Sequence, residues 1–287
     1  MRAELPKVDF FVSMEWDLKS SFIKKNRFFT PMNGQDKTVG LKALKDLYDK
    51  NHFSNKSANR APVIPKIVHQ IWIGPHAPPA IFELSQRSIK QLHPGWEYRL
   101  WTDADVASLE LYNKKVYDLS NNYGKKADIL RYEILKKYGG VYIDVDVVCL
   151  KPLDQLLHYD LWVGIAPLEC HALINTALIG AVPGNPIIED CIMTLEEDWY
   201  AFNTMPFPGN VLYGAGPCHF SKSFMKFVSD ETMHTIAFPA SYFYPLDLLH
   251  RSLAQEASPV ISAKVRSYIK DESFAVHYWK GSWWPTA

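Results

Sequence analysis

Two aspartates, Asp144 and Asp146, stand one residue apart in an otherwise apolar stretch of the chain. Apolar residues from 141 to 147 alternate with Tyr142 and the two acids, so we expect a β-strand with both carboxylates on one face, about 7 Å apart. Two like charges among apolar neighbours favour protonation unless a cation lies near them. Carboxylate oxygens select hard ions such as Mg²⁺ and Mn²⁺. The pattern indicates a divalent metal site, although a strand edge with two solvated acids fits the same tripeptide.

The residues before this strand predict a helix, 125–138, that positions two further charged groups. Its apolar residues recur at spacings of three and four, and Gly139 and Gly140 follow at the place where a helix terminus favours glycine. Asp128 and Arg131 lie three residues apart and therefore on one helical face. Beside the acids this pair would add a cation to the site. On its own it is a surface ion pair worth about 0.3–0.5 kcal/mol.

The whole string from Ala127 to Asp146, A-D-x-x-R-Y-x-x-L-x-x-Y-G-G-x-Y-x-D-x-D, resembles the signature of glycosyltransferase family 32. These are sugar-nucleotide transferases with a DXD motif, related to the glucosylating domain of large clostridial toxins, and the sequence KPLD at 151–154 extends the likeness. The resemblance implies a GT-A type α/β fold, with a Rossmann-like, mostly parallel central sheet flanked by helices.

The resemblance also implies a role for individual residues. Asp144, Asp146 and His277 would hold Mn²⁺ or Mg²⁺, and Arg131 would act with the two acids in catalysis. Residues expected to contact the donor are Trp72, Ile71, Asp128, Arg131, Tyr142, Asp144, Asn175, Ser282 and Trp283. Trp72 would stack on the nucleotide base, and the tryptophans at the chain end would form a lid over the donor. The ordinary alternative is a buried core residue for Trp72 and His277, and a turn residue for Asn175.

Other segments alternate between strand and helix patterns. Predicted strands lie at 64–74, 96–101, 161–165 and 173–180, and predicted helices at 80–93 and 187–200. This order favours a mostly parallel sheet, in which ligands gather at the carboxyl ends of the strands, where Trp72 lies. We interpret Glu196, Glu197 and Asp198 as a solvated helix face.

The first 60 residues lie outside the resemblance. We expect an N-terminal helical extension, 1–60, whose amphipathic segment 40–53 packs on a GT-A-type catalytic domain, 61–287. The segment 8–29 mixes aromatic residues with lysines, and a second interpretation of it is contact with a membrane or a lipid acceptor.

Composition and charge limit the partners. The 31 basic and 31 acidic residues cancel, so the chain has no overall attraction for nucleic acid or an anionic membrane. No apolar run reaches the roughly eighteen residues of a transmembrane helix. The four cysteines have no metal-binding spacing and are typical of reduced thiols. We expect a protein of the bacterial, viral or host cytosol, or of the Golgi lumen if an anchor has been removed.

The implied reaction is transfer of a sugar, with retention, from a nucleoside diphosphate donor to a hydroxyl of a glycan, lipid or protein, with UDP preferred over GDP. The bound metal would stabilise the departing diphosphate. The string VYIDVDVV also fits the strand of haloacid-dehalogenase-type phosphatases, although the later paired acids of that fold do not follow. A glycoside hydrolase and a non-catalytic carbohydrate-binding protein are further alternatives. Nothing in the sequence distinguishes the donor sugar.

Overall fold

The computed structural model describes residues 7–14, 37–53, 60–166, 174–254 and 260–281 of the chain. Its strands are β1 (Ile67–Ile71), β2 (Glu97–Trp101), β3 (Gly140–Ile143), β4 (Val147–Cys149), β5 (Leu161–Ile165), β6 (Ile174–Ala181), β7 (Thr235–Phe238) and β8 (Ala275–His277). Its helices are α1 (Phe10–Ser13), α2 (Lys37–Asn51), α3 (Ile81–Leu92), α4 (Asp103–Val106), α5 (Lys114–Leu119), α6 (Tyr123–Tyr138), α7 (Pro186–Phe202), α8 (Gly209–Gly214), α9 (Pro217–Lys226) and α10 (Ala263–Arg266). Short 3₁₀ segments lie at Asp154–Leu156, Ala240–Tyr242 and Leu248–Ala254.

The central sheet has six strands in the order β2-β1-β3-β6-β5-β7. β6 runs antiparallel to both of its neighbours, and the other neighbouring pairs are parallel. Every residue of β3 and β5 is buried, as expected of strands covered on both faces. The mostly parallel α/β sheet expected from the sequence is confirmed.

Helix α6 is fixed at both ends by the residues that the sequence places there. The side chain of Asn122 accepts a hydrogen bond from the Lys125 N–H at 3.0 Å, which caps the first turn. Gly139 ends the helix with φ +60°, and Gly140 follows with φ +93°. A Cβ on Gly140 would lie 2.6 Å from the Ile67 carbonyl oxygen, so glycine is required where β3 meets β1.

His69 on β1 ties this helix end to the sheet. Its Nε2 lies 2.9 Å from the Gly139 carbonyl oxygen, and its Nδ1 accepts from Trp101 Nε1 at 3.1 Å. Both contacts require a neutral ring with its proton on Nε2. Burial lowers the pKa of His69 to about 4, which keeps the ring in that form.

The strand predicted across the two aspartates is wrong in one respect. β3 ends at Ile143, the Asp144 N–H donates to the Ala177 carbonyl at 2.8 Å, and the Val147 N–H donates to the Asp144 carbonyl at 3.1 Å. The chain therefore turns at the acids, and β4 pairs with β8 in a separate two-stranded sheet. The alternation of apolar and polar residues continues through the turn because the strand before it and the strand after it are both buried, although they belong to different sheets.

One predicted surface residue is also corrected. Glu196 and Glu197 are exposed, but Asp198 is only 3% exposed. Its carboxylate binds His219 Nδ1 and Lys222 Nζ, both at 2.7 Å, so it joins α7 to α9 inside the protein. Asp198 directly follows two exposed acids, and nothing in the local sequence indicates that it has buried partners.

Helix α2 packs beside β7 at one edge of the sheet. The Tyr48 and Tyr242 hydroxyls lie 2.9 Å apart, and Asn51 Nδ2 donates to the Thr235 carbonyl at 2.7 Å. The division into 1–60 and 61–287 stays a prediction, and residues 15–29 of the aromatic and lysine-rich segment lie outside the described residues.

Within the described residues, no helix is both long and apolar enough to cross a bilayer. Cys149, Cys191 and Cys218 are free thiols. Cys170 lies outside the described residues.

Candidate active site

The side chains of Asp144, Asp146 and His277 converge at the carboxyl end of β3. One ligand atom from each lies within 4.8 Å of the other two. An octahedral ion with oxygen ligands at about 2.1 Å separates neighbouring ligands by about 3 Å and opposite ones by about 4 Å. The three groups are therefore close enough to share one divalent ion after a small movement of their side chains.

His277 reaches the acids because β8 pairs with β4, which places it opposite Val147. Its Nε2 lies 3.2 Å from Asp146 Oδ1, and Asp146 Oδ2 accepts from the Lys280 backbone N–H at 2.7 Å. Burial raises the pKa of Asp146, but the imidazolium charge and these hydrogen bonds outweigh burial and leave the pKa below its ordinary value. Burial lowers the pKa of His277, but the charge and hydrogen bond of Asp146 outweigh burial and raise this pKa above its ordinary value. A metal bound at His277 Nε2 would replace the proton that this nitrogen shares with Asp146.

Asp144 is held by groups from three elements. The Tyr142 hydroxyl donates to Oδ1 at 2.6 Å, and Arg131 Nη2 donates to the same oxygen at 3.1 Å. Gln70 Nε2 donates to the Asp144 carbonyl at 3.2 Å. Burial raises the pKa of Asp144, the Arg131 charge opposes this, and the Asp146 charge adds to it. A divalent cation between the two carboxylates would relieve that repulsion.

The ion pair between Asp128 and Arg131 is buried rather than a surface pair. Arg131 Nη1 lies 2.6 Å from Asp128 Oδ1, and the Arg131 side chain is 5% exposed. The guanidinium also lies 4.5 Å from the centroid of the Tyr142 ring. Burial raises the pKa of Asp128 to about 6, and the Arg131 charge acts against that shift. Arg131 therefore links the helical acid to Asp144 on the sheet.

The turn from Gly214 to Pro217 closes one side of this region. A Cβ on Gly216 would lie 3.2 Å from Asp128 Oδ2, and a Cβ on Gly214 would lie 3.0 Å from Lys125 Cε. The Tyr132 hydroxyl donates to the Ala215 carbonyl at 2.8 Å. The two glycines let the turn before α9 pack directly on α6 beside Asp128.

Trp72 follows the carboxyl end of β1, next to the strand that leads into Asp144. Its backbone N–H donates to the Trp101 carbonyl at 2.9 Å, its Nε1 donates to the His76 carbonyl at 2.7 Å, and its side chain is half-buried. The neighbouring Ile71 is 4% exposed, so its side chain belongs to the core. Because β1 and β3 are adjacent and parallel, Trp72 and Asp144 lie at the same edge of the sheet.

Asn175 lies on β6, half-buried, and its Oδ1 accepts from the Ala177 N–H at 2.8 Å. The Ala177 carbonyl in turn accepts from the Asp144 N–H, which places Asn175 two residues from a direct partner of the acid. Ser282 and Trp283, with the proposed lid, lie outside the described residues.

Sequence reasoning missed several residues that support the acids. Gln70 holds the Asp144 backbone, and the rings of Tyr244 and Trp279 lie 5.9 Å and 4.2 Å from that of His277. Trp279 stands within the C-terminal motif and could have been named from it. Gln70 and Tyr244 could not, since only the folded chain brings them to the site.

Part of the sequence that builds this site matches a known protein family. Residues 79–162 match the family described as a glycosyltransferase sugar-binding region containing DXD motif, and the matched range includes Asp128, Arg131, Asp144 and Asp146. This region of the chain belongs to the DXD-motif glycosyltransferases, of the family 32 type. The resemblance noted in the sequence is thereby confirmed.

Relatives of this chain occur in Schizosaccharomyces pombe and in Acanthamoeba polyphaga mimivirus. Inositol phosphoceramide mannosyltransferase 3 of Schizosaccharomyces pombe is 34% identical over 68% of this chain and 54% of its own length. A glycosyltransferase of Acanthamoeba polyphaga mimivirus, L373, is 26% identical over 65% of this chain and 75% of its own length. The chain spans about half the length of the S. pombe mannosyltransferases that it matches.

Among solved structures, PaToxG glycosyltransferase aligns with a TM-score of 0.51 and 19% identity, over 82% of this chain and 95% of that one. The alignment shows a shared fold. The GT-A type architecture expected from the family is therefore confirmed.

Proposed function

We propose that the protein is a metal-dependent glycosyltransferase that moves a sugar from a nucleoside diphosphate to an acceptor hydroxyl. The observation that carries the proposal is the convergence of Asp144, Asp146 and His277 within 4.8 Å at the carboxyl edge of the central sheet. The adjoining buried pair of Asp128 and Arg131 supports it. Membership of the DXD family favours this activity over the phosphatase and hydrolase alternatives.

The two acids and His277 would hold Mn²⁺ or Mg²⁺, which would supply positive charge to the departing diphosphate. Asp128 offers carboxylate oxygens that accept hydrogen bonds from the donor sugar. Arg131 is buried between Asp128 and Asp144, so we assign it the role of positioning both carboxylates. We assign Trp72 to stacking on the base and Asn175 to contact with the transferred sugar.

Retention of the anomeric configuration is part of the proposal. The acceptor would attack from the face that the diphosphate leaves, and a diphosphate oxygen would take its proton. The buried state of Asp128, Asp144 and Asp146 supports this course, because Arg131 pairs with the first two and His277 or the bound metal with the third, so none is positioned as a free nucleophile.

The donor we test first is a UDP-sugar, with GDP-mannose as its rival because the names of the yeast relatives specify mannosyl transfer. Those names also specify inositol phosphoceramide, which favours a lipid acceptor over a glycan or a protein. We propose the cytosol as the compartment, in keeping with the three free thiols, and the Golgi lumen as the alternative.

The test is release of nucleoside diphosphate from UDP-glucose, UDP-galactose, UDP-N-acetylglucosamine and GDP-mannose, each with Mn²⁺ and with EDTA. We expect release from one donor with Mn²⁺ only, and its loss in Asp146→Asn. The matched control is Asp118→Asn, which changes an exposed acid paired with Lys114. Sugar binding without nucleotide binding or turnover would instead support a carbohydrate-binding protein.

A further inference from the structure

The turn that follows β8 is fixed against the candidate metal site. Trp279 has φ +51°, an unusual value for a bulky residue, and Gly281 has φ +54°. The Trp279 ring packs on His277 with centroids 4.2 Å apart, and its Nε1 donates to the Leu246 carbonyl at 2.7 Å. These contacts hold the strained backbone in place. The backbone of Lys280, which stands between Trp279 and Gly281, is therefore held in one position.

Lys280 contacts the site through its backbone, while its ammonium group is uncommitted. The backbone N–H binds Asp146 Oδ2 at 2.7 Å. The side chain is partly exposed and forms no ion pair with a carboxylate among the described residues, and the Asp146 charge acts on its ammonium group. Other lysines are held by acids, as Lys222 is by Asp198 and Lys226 by Asp190. Lys280 thus adds a cation beside Asp146.

Two other cations that the structure describes near the site are already engaged. Arg131 is 5% exposed and is paired with two carboxylates. Lys125 is 2% exposed, donates to Asn203 Oδ1 at 3.0 Å and lies 4.7 Å from the centroid of the Trp199 ring. Neither is free to move towards a ligand that binds beside the acids.

The charged groups of the site leave a bound diphosphate short of positive charge. Asp128, Asp144 and Asp146 carry three negative charges when ionised and the diphosphate of a nucleotide sugar adds two, whereas Arg131, Lys125 and a divalent ion supply four positive ones. His277 is neutral when it binds a metal. One negative charge is left without a partner before the sugar leaves, so the further charge that develops on a departing diphosphate needs another cation.

We propose that the Lys280 ammonium group binds the donor diphosphate and stabilises its charge as the sugar leaves. This inference rests on the proposed glycosyltransferase function. The anomeric C–O bond breaks with its electron pair on the β-phosphate oxygen, and the acceptor oxygen forms the new C–O bond. The acceptor proton passes to a phosphate oxygen. Lys280 keeps its own proton and donates hydrogen bonds throughout, so it acts by charge and not as an acid.

The experiment compares Lys280→Gln, Lys280→Arg and the control Lys264→Gln, which changes an exposed lysine of α10. Because Asp146 is held by the backbone N–H of residue 280, none of these changes removes that hydrogen bond. Steady-state kinetics with the active donor gives kcat and KM. Calorimetry with UDP and uridine, and with GDP and guanosine, with and without Mn²⁺, separates diphosphate from base binding.

For Lys280→Gln we expect kcat to fall roughly 100-fold, the loss typical of removing one group that stabilises developing charge. UDP or GDP affinity should fall about tenfold, as for a charged hydrogen bond, with nucleoside and Mn²⁺ affinity unchanged. Lys280→Arg and Lys264→Gln should stay within about threefold of the wild type.

A kcat within about threefold of the wild type in Lys280→Gln would overturn the assignment, as would equal losses for nucleoside and diphosphate. A Lys280→Arg variant as weak as Lys280→Gln would point to packing instead and would also overturn it. A wild-type protein that neither binds nor turns over any nucleotide sugar would refute the proposed function itself, which is a separate result.

Discussion

Replacement of Arg131 by methionine tests the electrostatic design of the site most severely. The guanidinium contacts Asp128 at 2.6 Å and Asp144 at 3.1 Å, with a side chain only 5% exposed. Methionine retains much of the apolar volume but leaves two buried carboxylates without their shared cation. Breaking a buried pair in this way typically costs about 3–5 kcal/mol. We expect the free energy of unfolding of Arg131→Met to fall by about 4 kcal/mol at pH 8.

The loss should depend on pH in a defined direction. Burial already raises the pKa of Asp128 to about 6, above its unfolded value of 3.8, and removing Arg131 raises it further. A carboxyl group with a raised pKa in the folded state contributes stability below its unfolded pKa that is lost as pH rises through the folded pKa. The difference between variant and wild type should therefore be largest above pH 7 and should shrink towards pH 5.

Urea unfolding in EDTA at pH 5 and pH 8, followed by tryptophan fluorescence, measures both effects. Arg131→Lys keeps the charge and should show the pH profile of the wild type with a smaller loss. Arg87→Met changes an exposed arginine of α3 and should stay within about 0.5 kcal/mol of the wild type. A loss below about 1 kcal/mol for Arg131→Met at both pH values would refute the reasoning.

Three further predictions concern single side chains. Burial lowers the pKa of His69 to about 4, against 6.5 when unfolded, so the stability that its neutral form contributes, about 3 kcal/mol, should be lost as pH falls from 6.5 to 4. In urea unfolding, His69→Gln should reduce the slope of stability against pH in that range without abolishing it, because burial also lowers the pKa of His52 to about 4, and an unchanged slope would contradict the assignment. Tyr142→Phe removes the hydroxyl that donates to Asp144 and should lower kcat/KM about tenfold with little change in Tm; full activity would deny it a positioning role. Trp72→Ala should weaken nucleotide binding in calorimetry about tenfold, and unchanged affinity would remove the stacking role.

Most of the fold could be predicted from local patterns. The helix 123–138 is specified by its apolar spacing, the Asn122 cap and the Gly139 terminus, all of which are local signals. The mostly parallel order follows from the alternation of strands and helices. The break at Asp144 could not be predicted, because strand alternation persists where a chain passes from one sheet to another.

The residues of the candidate site likewise include some that the sequence predicts and some that it does not. The meeting of Asp144, Asp146 and His277 was expected from the family motif, and the structure brings their ligand atoms together. The burial of Asp198 and the contact of Gln70 with the Asp144 backbone depend on partners distant in sequence. No local pattern encodes such contacts, since they arise from how helices and strands are packed.

The central claim is that Asp144, Asp146 and His277 form a metal centre that binds a nucleotide diphosphate. Calorimetric titration of the wild type and Asp146→Asn with Mn²⁺, followed by UDP and GDP, tests it most directly. The account predicts one Mn²⁺ per wild-type chain, nucleotide binding that requires the metal, and loss of both in Asp146→Asn with its fold retained. Nucleotide binding of equal strength in EDTA, or in the variant, would contradict it.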